Sequence, residues 1–359
     1  MENHRENKKG KNLLICTQIM DRQDSILGFF CRWVACLAER FERVNVICLK
    51  KGTFDLPSNT FVHGLGKESS NGNKFFKKIV FMARFYYHAW RLRKEYDVVF
   101  VHMNEEYALL GGILWFLLGK KVFMWRNHFK GTFLTDIASV FCHTIFCTSR
   151  FSYTARYKKT ILMPVGVDED SYKINESIAR VPRSVLYLGR ISRSKRPELL
   201  IRALAEIARR EIDFSATFVG GAVDAEPNYP NQMRDLAKSL GIAERVIFTG
   251  AVPNTETYRY YRSHEIFVNC SPSGMFDKTI FKAAGCGCLT LASSRDFAEL
   301  VGHDFFFPDN DLPGLTNKLA EFLAISSKER DCLLNALQEP IKRNSLKILI
   351  ERLDNLLHQ

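Results

Sequence analysis

VLYLGRISRSKRPELLIRALAEI, Val185–Ile207, decides the fold. A β-branched and aromatic run ends at Gly189. A polar loop with Arg190 and Lys195 follows, and then an apolar pattern at helical spacing. Strand, loop and helix in that order set fixed positive charge at the mouth of a helix. The helix start adds unpaired N–H groups and about half a positive charge. The segment is therefore an anion site. Further on, FVNCSPSGMFDKTIFKAAGCGCLTLAS, Phe267–Ser293, repeats the order. Two such loops point to one ligand with two anionic or polar ends.

Working outward, the same alternation fills the chain. Strands are predicted at 12–17, 44–49, 98–102, 121–125, 143–148 and 160–163, with helices at 28–40, 74–95 and 105–118. The pattern restarts with strands at 184–188, 215–219, 245–248 and 265–268, then 288–291 and 305–307. A last helix is predicted over 340–358. Such alternation implies parallel sheets. The expected organisation is an α/β chain of two Rossmann-like, doubly wound domains facing a cleft. Their bounds are 1–163, a polar linker over 164–182, 183–338, and a C-terminal helix over 339–359 that crosses back. Ligands of open α/β sheets bind at the carboxyl ends of the strands.

Composition is that of a globular protein, 46% hydrophobic and 25% charged, and 359 residues exceed one ordinary core. The charged start, MENHRENKKGKN, lacks the apolar core of a secretory signal. The apolar run 109–118 is too short to span a bilayer. Ten cysteines show no zinc spacing, and Cys286 and Cys288 have no second pair, so buried reduced thiols of a cytoplasmic protein are expected. Charge is uneven. Residues 1–160 hold 26 Lys and Arg against 13 Asp and Glu, and the remainder hold 25 against 26. The excess asks for an anionic partner of the first half.

The strand–Gly–Arg–x4–Lys–helix order of Gly189, Arg190 and Lys195, and the second loop after it, resemble the C-terminal domain of retaining glycosyltransferases of the GT-B type, family 4 (glycosyl transferases group 1). The likeness is strongest over 185–207 and 245–293. It implies a nucleotide-sugar diphosphate donor, a glycan or lipid-linked acceptor, and no metal or other cofactor. It implies roles for Arg190 and Lys195 on the diphosphate, with Gly189 allowing close backbone approach. RVIFTG, Arg245–Gly250, resembles the base-binding strand, with Phe248 beside the base, and Gly220 and Gly221 resemble the family's turn by the donor. His128, in VFMWRNHF, falls where the family places a histidine near the transferred sugar.

The family carries two glutamates eight positions apart in the second loop. Here they are replaced by Gly274 and Lys282, while the frame of Ser271, Ser273, Asp277, Lys278, Ala283, Gly287 and Ser293 is kept. An ammonium has no acceptor for ribose hydroxyls. Lys282 is expected to meet a phosphate or turn outward, and donor binding is the property this change touches. Gly28 and Arg32, beside the loop 18–28, and Asn104, past the strand 98–102, are acceptor-side candidates. Helix capping is the plain alternative for Asn104.

The helix 74–95 carries Lys74, Lys77, Lys78, Arg84, Arg91 and Lys94, with no acid from Asn71 through Lys94. Phe75, Ile79, Met82, Tyr86 and Trp90 share a flank and are expected in the core. The bases are either a solvated face or a surface for anionic lipid. The combined expectation is a cytoplasmic enzyme, peripheral on the inner face of a membrane, in assembly of a surface polysaccharide (lipopolysaccharide included) or glycolipid. A degenerate, non-catalytic binding subunit is the alternative. Nucleic-acid binding and dinucleotide oxidoreduction are disfavoured, because no nucleic-acid motif is present and Cys16-Thr17-Gln18 stands where G-x-G-x-x-G would begin.

Overall fold

The structure, a computed structural model, describes residues 10–69, 74–175, 177–274 and 277–359. The chain divides into two units, one of residues 1–163 with 350–359 and one of residues 164–349.

The first unit holds β1 (Asn12–Met20), α1 (Phe30–Ala38), β2 (Arg43–Lys51), β3 (Thr60–Gly64), α2 (Lys74–Arg91), β4 (Val98–His102), α3 (Glu105–Leu117), β5 (Lys121–Trp125), α4 (Phe133–Phe141), β6 (Thr144–Cys147) and β7 (Thr160–Leu162). Its sheet runs β3-β2-β1-β4-β5-β6-β7, every pair parallel. Buried Val98, Val99, Phe100 and Val101 make β4 apolar on both faces, as a central parallel strand requires. Strand order reverses between β1 and β4.

The second unit holds β8 (Val181–Leu188), α5 (Pro197–Arg209), β9 (Ser215–Val219), α6 (Tyr229–Ser239), β10 (Val246–Gly250), α7 (Thr257–Ser263), β11 (His264–Asn269), α8 (Lys278–Gly285), β12 (Leu289–Ala292), α9 (Arg295–Val301), α10 (Leu312–Ala324) and α11 (Ser327–Arg343). Its parallel sheet runs β10-β9-β8-β11-β12, reversing between β8 and β11. α5 starts at Pro197, whose fixed φ suits a first helical turn. Leu200, Ala203, Leu204 and Ile207 face one core with Val185, Leu186 and Phe218. Two Rossmann-like α/β units are thus present.

Three expectations are corrected. The last helix does not begin at Pro340. α11 carries Pro340 inside it, and α12 (Leu346–Leu357) follows a break at Asn344. Asn344 Oδ1 accepts the Val165 N–H, and its carbonyl accepts from Gly166 and Val167. These bonds to the segment after Met163 turn the chain there. β3 and α4 were not read from the sequence.

The third correction concerns α2. Phe75, Ile79, Met82, Tyr86 and Trp90 are exposed, at 38–66%. The core stripe lies one flank over, at Phe85, Ala89 and Leu92. Arg84 Nη1 donates to the Leu65 carbonyl, and His88 lies against His63, so the helix is rotated with the flank of Arg84 and His88 toward β3.

Candidate functional site

The switch point of the second unit lies where β8 and β11 end side by side, the usual ligand crevice of an open sheet. β8 delivers Gly189 and Arg190. The Gly189 N–H donates to Val219, the Ile191 N–H to Gly221, and Tyr187 Oη to the Arg190 carbonyl. A Cβ on Gly220, at φ +151°, would lie 1.8 Å from the Gly189 oxygen, so the β9 turn packs directly on the Arg190 loop. The Arg190 side chain is exposed and has no hydrogen-bond or ion-pair partner among the described residues.

Lys195 closes the turn before α5. Its Nζ donates to Asp277 Oδ2 at 2.5 Å and to Ser271 Oγ at 3.1 Å. Both charged side chains are mostly buried, at 12% and 16% exposure. Asp277 caps α8, its Oδ1 accepting the Thr279 N–H, and Asn269 Nδ2 reaches Oδ2. Burial alone would raise the Asp277 carboxyl, but the Lys195 charge and the bonds from Lys195 and Thr279 hold it below its usual value. The structure therefore joins the two sequence motifs through Lys195–Asp277, and Asp277 serves the lysine. Ser273 Oγ accepts the Arg295 N–H at the start of α9. Gly274 is buried at φ +93°, which a side chain would strain.

Lys282 neither turns outward nor stands free. It is buried, and its Nζ donates to Tyr172 Oη at 2.9 Å and Asn254 Oδ1 at 3.1 Å. Tyr172 is held in turn by the Asn254 carbonyl and Thr257. Lys278 Nζ donates to the Gly166 carbonyl. Its own burial, then the like charge of Lys282, push its ammonium well below the usual lysine value. Phe248 stacks on Phe218 at 5.0 Å with the Arg234 guanidinium over it.

In the first unit His128 sits in the loop after β5. Its carbonyl accepts from Tyr153 N, and its Nδ1 lies 3.0 Å from the Lys130 N–H. The same Nδ1 lies 3.1 Å from the Lys130 carbonyl, so it accepts from the Lys130 N–H in one tautomer and donates to that carbonyl in the other. Arg126 and Asn127 hold the loop. The Arg126 guanidinium pairs with Glu105 and donates to the Lys130 carbonyl, and Asn127 Oδ1 accepts from Ser152 Oγ. A Cβ on Gly131 would strike the Tyr153 ring. These supports were not read from the sequence; Arg126 and Asn127 stand immediately before His128, in the string that singled it out.

Asn104 is the residue before α3, yet its side chain makes no capping bond. Gly28 packs on the Asp24 and Arg22 carbonyls, where a Cβ would come within 2.8 Å, and Arg32 is exposed on α1. Lys78, Arg84, Arg91 and Lys94 are exposed and Lys77 is half-buried; the Lys74 side chain lies outside the described part. Among the described residues no cluster of three metal-ligating side chains occurs, and no helix is long and apolar enough to cross a membrane. The ten cysteines are unpaired, eight of them buried.

Two Rossmann-like units define a protein of the GT-B fold. HepE of Anabaena, solved with UDP, matches over 96% of this chain and 99% of its own, with TM-score 0.76 and 18% identity. WaaG, a glycosyltransferase of lipopolysaccharide biosynthesis, matches over 96% and 99%, with TM-score 0.70 and 14% identity. Residues 182–324 match the family model of glycosyl transferases group 1. A D-inositol 3-phosphate glycosyltransferase of Catenulispora acidiphila is 32% identical over 162 residues, 39% of this chain and 38% of that protein. The alpha-monoglucosyldiacylglycerol synthase of Streptococcus pneumoniae is 23% identical over 51% of this chain and 44% of its own. The chain thus spans less than half the length of these curated relatives.

Proposed function

We propose that the chain is a retaining glycosyltransferase that moves a hexose-type sugar from a nucleotide-diphosphate donor to a glycan or lipid-linked acceptor of the cell surface. The observation that carries the reading is that one loop, between β8 and α5, carries both the exposed Arg190 and Lys195, with Lys195 bonded to Ser271 in the loop after β11. HepE structures hold UDP and UDP-glucose, which supports a nucleotide-sugar donor. The name of the diacylglycerol relative supports a lipid acceptor.

In the proposed step the bond from the sugar C1 to the diphosphate oxygen breaks, and its electron pair leaves with the phosphate. The acceptor oxygen bonds C1 on the same face and gives its proton to the departing phosphate oxygen. No oxidant, metal ion or other cofactor enters. The planar fork of Arg190 and the point charge of Lys195 stabilise the growing negative charge. Nε2 of His128 hydrogen-bonds a sugar hydroxyl.

Turnover of common nucleotide sugars with a lipid-linked acceptor, read by nucleoside diphosphate release and product NMR, tests this. One donor should be consumed with its anomeric configuration kept, and Arg190→Ala should lower kcat about a hundredfold. An inverted product would overturn retention. A second reading, a binding subunit, is favoured by Gly274 and by the engagement of Lys282 with Tyr172 and Asn254. Nucleotide binding without turnover, relieved in Lys282→Glu, would establish it.

A further inference from the structure

α2, α3 and α4 lie side by side over one core of the first unit. Tyr86 Oη donates to the Leu110 carbonyl at 2.8 Å, tying α2 to α3. A Cβ on Gly112 of α3 would strike the Phe141 ring of α4, so these two also approach closely. Fourteen of the twenty-two exposed large apolar side chains among the described residues come from these three helices. Phe116 and Leu117 are exposed at 77% and 76%, Phe133 at 74% and Phe76 at 67%. Water-facing surfaces rarely gather so much apolar area without a partner.

Charge identifies the occupant. From Lys74 through Lys94 there is no acid; Lys78 and Arg91 are exposed on α2, and Lys94 in the turn that follows it. Glu95, the first acid after it, pairs with Arg43. Aromatic rings beside long basic stems are the pairing that an anionic bilayer boundary accepts. Rings settle at headgroup level, and lysine and arginine stems reach the phosphates.

We infer that the α2–α3–α4 face is a membrane-docking surface that inserts its apolar side chains into the boundary of an anionic bilayer. Lys78 and Arg91 of α2 and Lys94 just after it supply headgroup attraction. Phe76, Phe116, Leu117 and Phe133 supply burial, including from two helices that carry no basic stripe. The inference rests on this surface and not on the transfer chemistry, so either can fail alone.

Trp90 is a native reporter. It is half-exposed, whereas Trp33, Trp115 and Trp125 are buried. The full chain is sedimented with vesicles of phosphatidylcholine alone or of equimolar phosphatidylcholine and phosphatidylglycerol, with Trp emission recorded. Binding to the anionic vesicles is expected, with a blue shift that disappears in Trp90→Phe. Lys78→Gln and Lys94→Gln should each weaken binding about fivefold, an effect that salt erases. Phe116→Ser with Leu117→Ser should weaken it at any salt while melting and donor binding stay unchanged. Three results would overturn the inference: the native chain remaining in the supernatant, serine variants binding as well as the native chain, or a dimer in solution that the serine variants dissolve.

Discussion

Asp277→Asn isolates the charge that holds Lys195. Asparagine is as good a helix cap as aspartate and nearly the same size, so the α8 start survives. What is lost is the carboxylate 2.5 Å from a lysine that is 12% exposed. Removing one member of a buried pair costs about 3–5 kcal/mol. Here Ser271 still accepts from Lys195, so about 2–3 kcal/mol is expected. Calorimetric melting measures it, alongside Lys195→Met and the double variant. The double variant should lose clearly less than the sum of the singles, because the stranded ammonium is gone. A saturating nucleoside diphosphate should stabilise Asp277→Asn more than the native chain, since the ligand restores negative charge beside Lys195. The pH sign follows from the depressed carboxyl. Its contribution is present above about pH 4, the unfolded value, and fades as pH falls through the lower folded one, in the native chain but not in Asp277→Asn. Asp277→Asn melting within about 0.5 kcal/mol of native, or strict additivity in the double variant, would refute the reasoning.

Three further outcomes follow from the geometry. Gly220→Ala places a methyl group on the Gly189 carbonyl and should cost at least about 3 kcal/mol, read as lost soluble yield or a lower Tm. Lys282→Glu exchanges the cation between Tyr172 and Asn254 for an acceptor; tighter nucleoside binding in a titration is expected if ribose hydroxyls reach it, and unchanged affinity would remove position 282 from the donor site. His63 is pushed down to about 4 by burial, then by the nearby charges of His88, Arg91, Lys51 and Arg43. Its stability contribution is present above the unfolded value of 6.5 and is lost as pH falls toward 4. Solvent screening leaves about 1–2 kcal/mol, and His63→Gln should flatten the melting curve over that window.

Strands such as Val98–His102 and Lys121–Trp125 were legible because a buried parallel strand writes its whole length in Val, Phe and Met. β3 escaped notice because an edge strand is half-buried and carries His63. The rotation of α2 was not legible for a different reason. The helix is apolar on more than one flank, and periodicity alone does not say which flank meets the sheet. Bonds to Leu65 and contact with His63, distant in sequence, decide it. In the site, Arg190 and Lys195 stood out because a strand, a glycine and two basic residues lead in that order into a helix. The joining of Lys195 to Asp277 and of Lys282 to Tyr172 and Asn254 was hidden, since each bridges residues far apart along the chain.

On the proposed reading the loop after β8 holds a diphosphate. Isothermal titration of the full chain with uridine diphosphate and the other nucleoside diphosphates tests it most directly. One nucleotide should bind, with Arg190→Ala weakening it at least tenfold, the loss of a charge-assisted contact worth about 1.5–3 kcal/mol. Binding that Arg190→Ala and Lys195→Met leave unchanged, or no binding by any nucleoside diphosphate, would contradict it.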